Sequence, residues 1–164
     1  MLDTAPASCA DDRNPALCAA DVARGVTRML LRHDLTAIAE VPLDGGRRAD
    51  LMALDVRGQI VIVEIKVSRA DLMGDCKWIE YLGYCDRFFW AVPAKFDLAP
   101  FEEPGFQPQL CGLLVADRYD AAVVRDAPLR KLPAARRKAE TLRFARRAAR
   151  RLVGDLDPGL AGFA

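Results

Sequence analysis

Two glycine-bearing turns in quick succession constrain this chain more than any other feature. "DGG" (residues 44–46) parts "DLTAIAEVPL" from "RRADLMALD", and "VRG" (residues 56–58) parts that run from "QIVIVEIKV". Turns this short send the chain back on itself, so the three apolar runs predict a three-stranded antiparallel meander. Burying a charge in such a sheet is costly unless the charge is paired or holds a metal. Yet Arg48, Asp50, Glu64 and Lys66 lie within these strands. Alternation puts Glu64 and Lys66 on one face with Ile60 and Ile62, and Asp50 on one face with Arg48 and Met52. Asp50 and Glu64 are about equally far from the VRG turn, which predicts cross-strand neighbours.

The rest of the chain reads as helices and further strands. Asn14 as N-cap and Pro15 behind it open a helix whose apolar face is Val22, Val26, Met29 and Leu30. Ser68 and Asp71 resemble a capping box, which predicts a second helix running to near Asp86. Trp78, Tyr81 and Tyr84 fall on one side of it, as core packing or as a stacking platform for unpaired bases. "RFFWAVP" is a strand, a proline-held loop follows, and "LCGLLVAD" and "AAVVRDAP" form a hairpin. A last helix starts after Pro133 and stops at Gly154. This order, α-β-β-β-α-β plus a hairpin and a helix, predicts a mixed sheet with helices packed on it. The expected organisation is a disordered lead-in (1–13), one domain (14–153) and a flexible tail (154–164).

Composition narrows the class. The chain has 164 residues and net charge +1, in the range of a single soluble domain. It has no apolar run of about 18 residues, so no membrane span is expected. The opening stretch lacks the basic and apolar regions of a secretory leader, and a cytoplasmic setting is expected. Cys9, Cys18, Cys76, Cys85 and Cys111 form no C-x-x-C pair and there is a single histidine, His33, so reduced thiols are expected rather than a zinc site.

Charge is unevenly spread: residues 125–151 hold eleven basic and two acidic side chains. On the last helix Ala135, Ala139, Leu142, Ala149 and Val153 make a narrow stripe expected to pack on the domain. That would leave Arg136, Arg137, Arg143, Arg147, Arg150 and Arg151 to meet phosphates, with Glu140 the sole acid among them. Phe144 lies on the arginine side. In sequence these arginines are remote from the charged strands.

Two carboxylates at cross-strand range repel, and are kept together by a divalent cation or by basic neighbours. Mg²⁺ (or Mn²⁺) suits them, being hard and satisfied by one or two carboxylates plus waters and phosphate oxygens. Lys66 then serves as a point charge that stabilises the developing anion or orients the nucleophile. Phosphodiester hydrolysis is the chemistry that needs this set. Glu40, at the end of the first strand, is a candidate third acid.

Asp50 followed by Glu64-Ile65-Lys66 resembles the D…(D/E)-x-K signature of the PD-(D/E)XK nuclease superfamily, with Ala49 where the superfamily name has proline. The resemblance implies a restriction-endonuclease-like αβββαβ core, Asp50 and Glu64 as metal ligands, a backbone carbonyl from Ile65, and Lys66 at the scissile phosphate. Lys77-Trp78-Ile79-Glu80-Tyr81 is similar to the Q-h-x-x-Y motif of RecB-type members, with Lys77 in place of glutamine; it implies DNA contacts for Lys77 and Tyr81. The run from "RRADLMAL" through "EIKVSRADLMGDCKWIEYLGYCDRFFWAVP" resembles the MmcB-related family of bacterial DNA repair proteins. The implied function is a Mg²⁺- or Mn²⁺-dependent deoxyribonuclease, a hydrolase with DNA as partner. The alternative is a DNA-binding repair adaptor that keeps the fold and acts through partner repair proteins.

Overall fold

The computed structural model describes residues 16–75 and 77–163. It holds six strands, β1 (Leu35–Pro42), β2 (Arg48–Asp55), β3 (Ile60–Ile65), β4 (Arg87–Pro93), β5 (Gly112–Ala116) and β6 (Ala121–Arg125), in one sheet of order β1-β2-β3-β4-β5-β6. The meander β1-β2-β3 is antiparallel as expected, β3-β4-β5 is parallel, and β6 returns antiparallel on β5. Gly58, at φ 75°, makes the β2–β3 turn, and the Asp55 carboxylate accepts from the N–H groups of Arg57 and Gln59. That turn fixes the register on which the site depends.

Helices cover both faces, each over its own core. On one face lies α1 (Ala19–Arg32), burying Val22, Val26, Met29 and Leu30 against Leu51, Val61, Val63 and Phe89. It begins at Cys18, whose N–H donates to the Asp21 carboxylate, whereas the Asn14–Pro15 start read from the sequence lies outside the described residues. Gly25 lets α1 sit directly on the β5–β6 turn. A Cβ there would stand 2.0 Å from the Asp117 carbonyl oxygen.

The opposite core is aromatic, with Trp78, Tyr81, Phe88, Trp90, Phe101 and Phe106 in mutual contact. The crossover from β3 to β4 is not the continuous helix read from the sequence. A short α2 (Arg69–Gly74), capped by Ser68 Oγ accepting from Asp71 N–H, stops at Asp75, and a 3-10 turn, Trp78–Gly83, follows. Gly74, a poor helix former, stands at the break. Trp78 and Tyr81 are core residues.

The last helix, α3 (Ala134–Leu156), runs past the expected stop at Gly154, and a 3-10 turn, Pro158–Phe163, follows it. It is docked the other way round from the sequence reading. Glu140 and Phe144 are its buried residues, while Leu142 and Val153 of the expected inward stripe are exposed. Arginines, with long aliphatic stems, line the inner face because buried acids and carbonyls meet their heads. Arg137 donates to both oxygens of the buried Asp86 carboxylate and to the Gly58 carbonyl. Arg143 donates to Glu140, Asp44 and the Pro42 carbonyl. Phe144 fills the aromatic core between these pairs.

No helix of the described residues is long and apolar enough to cross a membrane. Among the described cysteines, Cys18, Cys85 and Cys111 are free thiols.

Candidate active site

The β2–β3 ladder runs from Leu54↔Ile60 to Leu51↔Val63, so Asp50 and Glu64 are the next opposed pair. At that point β2 and β3 part, while β3 stays on β4 as far as Ile65↔Ala91. Parting strips two backbone N–H groups of partners, and the two acids supply them crosswise. Asp50 N–H donates to Glu64 Oε1 at 3.2 Å, and Ile65 N–H donates to Asp50 Oδ2 at 2.8 Å. Both carboxylates are thereby fixed side by side, as the turn count predicted.

The pair resists carrying two charges. Burial, then the neighbouring Asp50 charge, pushes the Glu64 carboxyl up to about 8, with Glu64 only 3% exposed. Burial likewise raises Asp50, against the opposing pull of the Ile65 N–H and Lys66. A buried and a half-buried acid so placed take up either a proton or a cation.

Lys66 follows directly on β3, buried, with its ammonium 5.7 Å from the centre of the Trp90 ring. It is held by α2 and the residue that ends it: Asp75 lies 2.8 Å away and Asp71 3.8 Å. Burial works against the ammonium, but the Asp75 hydrogen bond and the charges of Asp75, Asp71 and Glu64 outweigh it and raise the lysine above its ordinary range.

Glu40 stands between the β1–β2 pairs Ala39↔Leu51 and Val41↔Ala49, facing the level of Asp50, with φ at 54°. A left-handed φ at a non-glycine residue costs on the order of 1 kcal/mol and is typical of functional edges. Its carboxylate is taken by Arg48 at 2.5 Å on the rim. Among the described residues, no three His, Cys, Asp or Glu side chains converge as a ready metal site. The carboxylates that could hold an ion in the cleft are those of the Asp50–Glu64 pair. Two carboxylates suffice for Mg²⁺, which keeps several waters.

These groups line an open cleft of about 910 Å³ together with Arg47, Arg48 and Tyr81. Tyr81 is buried in the wall and its hydroxyl donates to the Arg48 carbonyl. Lys77 is exposed at the start of the 3-10 turn. His33 lies elsewhere, beside Leu35, Asp55 and Gln59 at the opposite end of β1 and β2. The arginines of α3, remote in sequence, come to the β1 side of the site. Burial and the Arg147 charge lower the Arg151 guanidinium, while Glu40 acts the other way across the gap. Arg147 and Arg150 border a groove with Pro42, and Arg143 there is already tied to Glu140 and Asp44.

Residues 5–158 match the family described as DNA repair protein MmcB-like. The chain belongs to the MmcB-like family. A solved protein of unknown function from Silicibacter pomeroyi is 43% identical to it with a TM-score of 0.77, the match covering 90% of this chain and 95% of that one. No curated protein matches the chain. The family is described as one of DNA repair proteins. The residue missed by sequence reasoning on this MmcB-like chain is Asp75. Gly74 was the available signal, a poor helix former at the last position of α2 beside Asp75.

Proposed function

We propose that this protein is a metal-dependent DNA nuclease acting in repair, on a restriction-endonuclease-like core, with Asp50, Glu64 and Lys66 as its site. The observation that carries the reading is the acid pair fixed crosswise where β2 and β3 part, with a buried lysine beside it. A binding module gains nothing from two adjoining carboxylates, one of them buried, that oppose each other's ionisation. Asp50, Glu64 and the Ile65 carbonyl would hold Mg²⁺ or Mn²⁺. When bound, the ion supplies Lewis-acid stabilisation of charge developing on the phosphate. The chain's own groups do the rest. Lys66 is a fixed positive charge for the phosphate, oriented by Asp75. Arg47 and Arg48 on the rim, and Arg147 and Arg151 beyond Glu40, offer a cationic path for the DNA backbone leading into the cleft.

The competing reading is a DNA-binding adaptor, and the ion pair between Lys66 and Asp75 favours it, because a lysine so engaged is less free to act on a phosphate. Metal linkage separates the two. Below the unfolded value of 4.5 Glu64 holds a proton whether folded or not; between there and about 8 the folded chain alone holds it. Metal-free stability should therefore fall as pH rises through this window and level off above it. Mg²⁺ should raise the melting temperature, more at the alkaline end, because the ion competes with the proton. Glu64→Gln should flatten the metal-free profile and remove the Mg²⁺ effect. Thermal melts in chelator and in Mg²⁺ across this range measure both, and a Mg²⁺ shift retained by Glu64→Gln would remove the metal from this site.

A further inference from the structure

The inverted docking of α3 leaves an apolar face exposed along most of its length, with Leu160 of the 3-10 turn that follows lying beside Ala149 and Val153. Leu142, Val153 and Leu156 are 57%, 46% and 78% exposed. With Ala135, Ala139 and Ala149 they recur at alternating steps of four and three, broken only by Arg146. That is the spacing of a seam made for another helix, sustained along the whole element. Single exposed leucines are ordinary on a surface, but apolar residues repeated at this spacing on one helix mark an interaction face. Lys138, Arg146 and Arg150 are exposed along this face, and of the helix's two acids Glu140 is turned fully inward while Asp155 is exposed in the last turn. The face is therefore apolar with cationic flanks.

We propose that this outward face of α3 is a docking surface for an acidic amphipathic helix of a partner protein. Its apolar residues would seat on Leu142, Val153 and Leu156, and its carboxylates would meet Lys138, Arg146 and Arg150. The charges decide the occupant. A second copy of α3 would set these cations against their own counterparts, which opposes self-association. Duplex DNA would satisfy the cations and leave the leucines unmatched, since phosphate contacts carry no apolar component. An acidic helix satisfies both.

The probe is a fluorescein-labelled helical peptide of several heptads, leucine at the seam and glutamate on its flanks, titrated against the full-length protein. It should bind, while a peptide of the same composition in scrambled order should not. The triple variant Leu142→Gln, Val153→Gln, Leu156→Gln changes exposed positions to a good helix former, so its melting temperature should hold. It should weaken the peptide by about tenfold or more and leave duplex DNA affinity unchanged. Arg146→Glu with Arg150→Glu should reverse the preference, gaining a lysine-flanked peptide in place of the glutamate-flanked one. Equal binding of the scrambled peptide, or undiminished binding by the triple variant, would overturn the proposal. A loss of DNA affinity in the triple variant would assign the face to nucleic acid instead. Wild-type self-association in sedimentation, abolished by the triple variant, would assign it to a second copy.

Discussion

Lys66→Ala should lower turnover by about a thousandfold while DNA affinity in metal-free buffer changes by no more than a single phosphate contact. The asymmetry follows from where the lysine sits. It is buried behind the acid pair and held by Asp75, so it adds little to the surface charge that draws DNA in. Its expected worth lies in meeting charge that develops as the phosphate is attacked, and that charge is absent in the bound ground state. Single-turnover cleavage with saturating enzyme, beside anisotropy titration in chelator, separates the two quantities. Lys66→Arg keeps the charge but not its compact shape, and should recover only part of the rate. Equal losses in binding and turnover would make Lys66 a binding residue.

Asp86→Ala should destabilise the protein by about 3–5 kcal/mol, since removing one partner of a buried charge pair leaves the other unpaired. Asp86 is 1% exposed and accepts from Ile60 N–H, Leu132 N–H and twice from Arg137. One side chain thus ties β3, the segment leading into α3, and α3 itself. A loss of this size is a large part of the roughly 5–15 kcal/mol that holds a domain together. Urea or thermal denaturation checks it, with Arg137→Ala as the companion that should not add in full, because both variants break the same pair. A loss below about 1 kcal/mol would mean that α3 is held by Phe144 and Glu140 instead.

The strands and the acid pair were legible because their signals are local. Alternation and the Gly58 turn place Asp50 opposite Glu64 with no knowledge of the rest of the chain. The αβββαβ order followed from the same signals. What escaped was set by tertiary pairing. α3 was read inside out because alanines and leucines outrank arginines as core residues, and nothing near α3 in the sequence announces that Asp86 and Asp44 wait for its guanidinium groups. Phe144, unplaced by the stripe, was the local sign of the error. The Lys66–Asp75 pair was hidden by reading one helix through Gly74, which put Asp75 on a helical face instead of at its end. The left-handed backbone at Glu40 has no sequence signal, since glutamate is not a residue that favours it.

Asp50 and Glu64 are proposed to hold a divalent ion that enables phosphodiester cleavage. The most direct measurement is cleavage of end-labelled duplex, single-stranded and branched DNAs by wild type and Asp50→Asn, with Mg²⁺, with Mn²⁺ and with chelator. Asparagine can still accept from the Ile65 N–H, so the fold and DNA binding should be kept. On this proposal wild type should give cut products with either ion and none in chelator, and Asp50→Asn none under any condition. Full cleavage by Asp50→Asn, or DNA bound but left intact by wild type on every substrate with both ions, would contradict it.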